Sequence, residues 1–186
     1  MKRIFILIAI FTLAFTFNIS AQTEEVSKKE QKAAKRALEA QKDSIAGVIA
    51  KGAIESGEWI FRAITMNVSG GAMINVPSNL NFLMVQGDQF TFQTSTGFGG
   101  GPNNMGGITT TGLIKIENID TDKHGNVTYS LRLTGTILNA VATLSLQHNS
   151  NIADLYLNMD RGTRNISMAG SVYTIGSAQV FEGTLR

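Results

Sequence analysis

The stretch that most constrains the fold is Asn126–Leu146, NVTYSLRLTGTILNAVATLSL. Val127, Tyr129, Leu131 and Leu133 alternate with Thr128, Ser130, Arg132 and Thr134. A period of two marks a strand with one buried and one wet face. Ala140, Ala142, Leu144 and Leu146 repeat the alternation one turn later, so the two runs are expected to pair antiparallel at the centre of a sheet. Neither run carries a catalytic or ligand motif.

The flanking sequence speaks the same language. Glu58–Ser69 carries Trp59, Phe61, Ile64, Met66 and Val68, with a phase slip near Ala63 that predicts a bulge. Asn81–Gln86 and Gln89–Thr94 read as a hairpin across Gly87-Asp88, a pair suited to a tight turn. Ile108–Asn118, Ile152–Met159, Asn165–Tyr173 and Gln179–Leu185 supply further short runs. Residues 58–186 are therefore expected to form a mainly β domain, either an antiparallel β-sandwich or a lipocalin-like open barrel.

One α-helix is expected before it. Ser27 and Glu30 fit a capping box, Glu24 and Glu25 suit a helix N-terminus, and Gly52 and Gly57 suit its end, which places a helix in residues 22–57. Its first half is crowded with Lys28, Lys29, Lys32, Lys35 and Arg36 and reads as solvated. Its second half carries Leu38, Ile45 and Ile49 at i, i+7 and i+11, a narrow stripe expected to dock on the sheet.

Residues 1–21 read as a secretory signal: Lys2 and Arg3, the apolar run Ile4–Phe17, then Ile19-Ser20-Ala21. Cleavage after Ala21 leaves Gln22–Arg186, which is 165 of the 186 residues and about one domain. The expected location is periplasmic or extracellular. With no cysteine, the chain has no lipoprotein anchor, disulfide or thiol chemistry. No transmembrane run follows the signal. Lys2 and Arg3 belong to the 16 basic residues, so the remaining 14 balance 14 acidic ones, which argues against nucleic acid as a partner.

Tests for chemistry fail on the residues. Gly97–Gly107 holds six glycines in eleven positions, yet Pro102 stands where a dinucleotide fingerprint needs glycine, and no Lys-Ser/Thr follows. Asp120-Thr121-Asp122-Lys123-His124-Gly125 opens like a calcium loop, but Leu131 occupies the position of the bidentate glutamate. An Asx-stabilised turn is the better reading. His124 and His148 fall in turns without a third zinc ligand, and Ser145, His148 and Asp154 lack a nucleophile elbow. Glu117, Asp120 and Asp122 crowd one loop, with no carboxylate partner across a cleft. No catalytic residue, metal site or cofactor is expected.

The order of features resembles the "domain of unknown function 4251" family of exported Bacteroidetes proteins. The resemblance rests on the Lys/Glu/Ala helix, on Ile54-Glu55-Ser56-Gly57-Glu58-Trp59-Ile60-Phe61-Arg62-Ala63, on Asn81–Phe90 leading into the glycine loop, and on Ile166-Ser167-Met168-Ala169-Gly170. Where that family carries a Leu-Pro-Tyr-Phe-Gly-like segment, this chain reads Thr94-Ser95-Thr96-Gly97-Phe98-Gly99. The resemblance implies export and a β-rich fold, and it brings no catalytic residue. Asp43-Ser44-Ile45 is also similar to the O-glycosylation triplet of that phylum.

Three functions follow as expectations. The first is a non-catalytic binding or accessory domain, its small apolar ligand entering a mouth formed by Phe82, Met84, Phe90, Phe92, Phe98, Gly99, Gly100 and Gly101. The second is an interaction module whose N-terminal helix meets an envelope protein or a second copy. The third is a hydrolase with dispersed catalytic residues.

Overall fold

A computed structural model describes residues 2–68, 71–95, 107–160, 165–178 and 180, with side chains from Lys28 onward, Val68 excepted. One helix, α1 (Lys2–Ser56), precedes nine strands: β1 (Glu58–Val68), β2 (Ile74–Asn75), β3 (Phe82–Gln86), β4 (Gln89–Ser95), β5 (Gly107–Thr121), β6 (Val127–Gly135), β7 (Asn139–Leu146), β8 (Ile152–Met159) and β9 (Ile166–Thr174). A 3₁₀ turn, Ile175–Ser177, follows β9. The chain divides into two units, Met1–Lys42 and Asp43–Arg186. The first is helix alone; the second holds the last turns of α1 and every strand.

All pairings are antiparallel: β1 pairs with β3, β3 to β9 pair in chain order, and β1 pairs with β9 from Trp59↔Thr174 to Val68↔Ile166. That pairing joins the first strand to the last and makes a closed eight-stranded barrel, with β2 as an extra strand on β1. Closure removes the exposed edges that an open sheet must protect. It also decides between the two expected architectures in favour of the barrel.

Periodicity explains the interior. Val127, Tyr129, Leu131 and Leu133 of β6 are buried, as are Ala140, Ala142, Leu144 and Leu146 of β7. Leu133 lies opposite Ala140 and Leu131 opposite Ala142, so large residues face small ones and the narrow bore fills. The expected slip in β1 is a bulge between Ala63 and Thr65. Through it Trp59, Phe61, Ala63 and Met66 face inward, while Ile64 stays exposed. A second bulge, between Ile116 and Asn118 on β5, has no counterpart in the sequence pattern.

The helix departs from expectation at its start. It runs unbroken through Ser27 and Glu30, so the expected capping box does not cap, and Glu24 and Glu25 lie inside the helix rather than in its first turn. Its end falls as expected. Gly57 takes φ +73°, and its N–H donates to the Ile54 carbonyl at 3.1 Å. Gly52 stops nothing and lies within the helix.

The docking face of α1 is also not the expected one. Leu38, Ile45 and Ile49 are 52%, 55% and 51% exposed, and the buried residues are Gly47, Ala50, Ala53 and Ile54. The reason is distance. A Cβ on Gly47 would stand 2.5 Å from the Ser150 backbone nitrogen in the β7–β8 turn. The helix backbone approaches so closely that only its small-residue face fits there.

Candidate functional site

The expected mouth residues divide between two places. Phe90 and Phe92 on β4 face the barrel interior, opposite Val85 and Leu83 of β3. Phe82 and Met84 point the other way. With Ile60 they form a separate outer cluster, covered by Tyr173, Ile175, Ala178 and Val180. All four are buried. Phe98, Gly99, Gly100 and Gly101 lie outside the described residues, as does the expected run Gln179–Leu185 apart from Val180.

At the end of β4, polar residues fix the chain where Ser95 closes the strand. The Asn81 side chain is fully buried and makes four hydrogen bonds. Nδ2 donates to the Pro77 carbonyl at 2.9 Å and the Ser95 carbonyl at 2.8 Å; Oδ1 accepts from the Ser95 N–H at 2.8 Å and the Thr94 hydroxyl at 3.1 Å. Beside it Gln93 Nε2 donates to the Leu80 carbonyl at 3.3 Å, and Gln93 Oε1 accepts from the Thr109 hydroxyl at 3.0 Å. Among the described residues, no buried side-chain polar atom lacks a partner. This cluster is structural glue, saturated by its own chain. At the same end an open depression of ≈ 480 Å³ is lined by Thr136, Ile137, Asn139, Met159 and Asp160. Asp160 is already engaged there, accepting from Arg132 at 2.6 Å. Arg132 also donates to Glu117 at 3.3 Å, and these two carboxylates, Asp160 first, raise its pKa.

The opposite end, where β1 begins, carries the remaining sequence candidates. Asp122 caps the β5–β6 turn. Its Oδ1 accepts from the His124 and Asn126 N–H groups at 2.8 and 2.9 Å, and its Oδ2 accepts from Asn126 Nδ2 at 2.8 Å. These bonds, the Asn126 side chain first, hold its pKa below the usual 3.8. The expected Asx turn is therefore what forms, and Leu131 is a core residue. His148 lies against Gly125, where a Cβ would stand 2.5 Å from its Nδ1, and its N–H donates to Asn126 Oδ1 at 2.9 Å. Ser145 and Asp154 sit opposite each other on β7 and β8, and His148 is tied to the neighbouring turn. Among the described residues no three His, Cys, Asp or Glu side chains are grouped to hold a metal.

The end of α1 closes in on this same end. Ala50, Ala53 and Ile54 join the core cluster that includes Trp59, Val127, Tyr129 and Leu146. Burial raises the pKa of Tyr129, and the charge of Glu55 on the last turn of α1 pushes it the same way. The Gly87 N–H donates to the Gly57 carbonyl at 2.9 Å, tying the β3–β4 turn to the helix terminus. With one face of α1 committed to the barrel, the other carries Ile45, Val48 and Ile49, of which Val48 is 70% exposed. Sequence reasoning found this stripe and assigned it the wrong neighbour. The spacing of Gly47, Ala50 and Ala53 was the signal for the true docking face. Ser44 lies half-buried on the same helix.

Comparison with known proteins agrees with the barrel. The profile of the family described as a domain of unknown function, DUF4251, matches residues 40–172. The chain is similar to the crystal structure of a DUF4251 family protein from Bacteroides eggerthii, with 26% identity and a TM-score of 0.65. The match covers 79% of this chain and 99% of that one. No functionally curated protein matches. A profile match over more than half of the chain, with the same barrel in a solved relative, places this protein in the DUF4251 family.

Proposed function

We propose that this protein is an exported, non-catalytic barrel that acts through protein contact, with the barrel as the mount and the outward face of α1 as the working surface. The observation that carries the reading is the exposure of Ile45, Val48 and Ile49, at 55%, 70% and 51%, on the last turns of a helix whose small residues are the ones buried. Apolar side chains grouped on one exposed face are a frequent mark of an interaction site. Export is supported by Lys2, Arg3, the Ile4–Phe17 run and Ile19-Ser20-Ala21. Among the described residues no helix is long and apolar enough to cross a membrane.

A small apolar ligand inside the barrel draws less support, because Phe90 and Phe92 pack into one cluster with residues of α1 and of every barrel strand but β5, whose half-buried Ile114 packs against that cluster. Replacing Ile45, Val48 and Ile49 together with glutamine tests the reading. The barrel's thermal unfolding should be retained and the complexes formed in the producing cell lost. Complexes that survive the substitution overturn it.

A further inference from the structure

We propose that the free edge of β5 docks the same edge of a second copy of this chain, the two strands antiparallel with Lys115 opposite Asp120 and Ile116 opposite Ile119. The contact uses no residue of α1 and goes beyond the reading above.

Barrel closure leaves one run of β5 with a strand on one side only. Its pairing with β4 ends at Gln89↔Leu113, and beyond that the Ile114 N–H donates to the Asp88 carbonyl at 2.8 Å. Its pairing with β6 continues to Thr121↔Val127. Among the described residues, Lys115–Thr121 therefore has no strand on the β4 side. The backbone N–H and C=O groups along such an edge are a template for another strand.

Side chains mark the same vacancy. Where β4 runs alongside, the inner face of β5 is covered: Thr110, opposite Phe92, is 2% exposed. Past the end of β4, Ile116 and Ile119 lie opposite the buried Leu131 and Tyr129 of β6, yet they are 55% and 54% exposed. Opposed residues on paired strands share a face, so these two isoleucines belong to the covered face and lack a neighbour on the β4 side. A strand laid there covers them.

The sequence of the edge selects its own copy. Paired antiparallel about the point between Glu117 and Asn118, it sets Lys115 against Asp120 twice, Ile116 against Ile119 twice and Glu117 against the Asn118 amide twice. Lys115 and Asp120 are exposed, and among the described residues neither forms an ion pair. Shifting the register by one residue fails in both directions. One shift sets Glu117 against Glu117 and Lys115 against Ile119; the other sets Ile116 against Asp120 and Glu117 against Ile119. Charges along an edge blunt indiscriminate pairing, and here they leave one register favourable. The contact is isologous and uses up the edge of both copies, so it closes at two. A strand pair this short belongs to the weak, reversible class of interface.

Sedimentation over a range of concentrations tests the proposal, on protein expressed from the full chain. A reversible monomer–dimer equilibrium is expected. Lys115→Glu and Asp120→Lys should each weaken the dimer by about tenfold or more with thermal unfolding unchanged, since each sets like charges against one another twice. Mixed in equal amounts, the two variants should pair again to within about threefold of the wild-type affinity, because both contacts then join opposite charges. Replacing Ile45, Val48 and Ile49 with glutamine should leave the dimer intact. A protein that stays monomeric at every concentration overturns the proposal. So does a dimer indifferent to either charge reversal, a mixture that fails to pair, or a dimer lost with the triple change on α1.

Discussion

Two glycines five residues apart on α1 should respond to the same substitution with opposite signs. Gly47→Ala puts a methyl 2.5 Å from the Ser150 nitrogen and 2.8 Å from the Asn149 carbonyl carbon, both backbone atoms of the β7–β8 turn. Overpacking of this kind costs about 1–3 kcal/mol, and a contact with backbone belongs at the upper end. Alanine returns about 1 kcal/mol of helix propensity, leaving a net loss of about 2 kcal/mol. Gly52→Ala meets nothing within 4 Å and keeps the propensity gain, about 1 kcal/mol of added stability. The two variants should therefore differ by about 3 kcal/mol, or roughly 6–12 °C in Tm for a chain this size. Trp59, the sole tryptophan and 2% exposed, sits in the core cluster with Ala50, Ala53 and Ile54 and reports the transition in a urea titration. Movement of both variants in one direction, or a Gly47→Ala protein within about 0.5 kcal/mol of wild type, the range of ordinary surface changes, refutes the close approach of α1 to the turn.

Other outcomes follow from the polar contacts. Asn81→Ala strips a hydrogen-bond partner from the Ser95 N–H and from the Ser95 and Pro77 carbonyls, and should cost about 3–5 kcal/mol in urea titrations, since each buried unmet group costs about 1–3 kcal/mol. A loss under about 1 kcal/mol shows that water substitutes for the amide. Asp122 has a folded pKa below its unfolded value, so its contribution is complete above pH 3.8 and fades as pH falls through the lowered value. Asp122→Ala should therefore lower stability at neutral pH and flatten the acid limb below pH 3.8; an unchanged acid limb removes that role from the turn.

The parts of the fold that were legible in sequence are those where burial is one-sided. β6 and β7 alternate cleanly because their outer faces meet water, and the hairpin at Gly87-Asp88 is written in its turn residues. β3 was illegible for the opposite reason. Phe82, Leu83, Met84 and Val85 are all buried, so alternation cannot say which pair faces inward. The answer lies in Ile175, Ala178 and Val180, more than ninety positions away, which cover Phe82 and Met84 from outside. Barrel closure was equally hidden, because the β1–β9 register is a long-range pairing between two strands that each read as an ordinary edge. The face of α1 was misassigned because an apolar stripe on a helix is recognised by its large side chains. A contact through Gly47, Ala50 and Ala53 presents none of them at those positions.

That inversion of sizes bears on function. A helix that only needed to cover the barrel end would gain by turning Ile45 and Ile49 inward, because burying one such side chain is worth about 1.5–3 kcal/mol. Here the inward positions are held by glycine and alanine at backbone-contact distance, and the isoleucines face out. The barrel therefore does not need them. Replacing Ile45, Val48 and Ile49 together with glutamine should change the stability of the isolated chain by no more than about 1 kcal/mol, as expected for exposed sites. The same triple change should abolish association through α1, read by native mass spectrometry beside the urea titration. A loss of several kcal/mol would mean that these side chains stabilise the barrel after all, and the stripe would revert to core. Unchanged stability with association lost would separate the two faces of one helix, small residues for folding and large ones for contact.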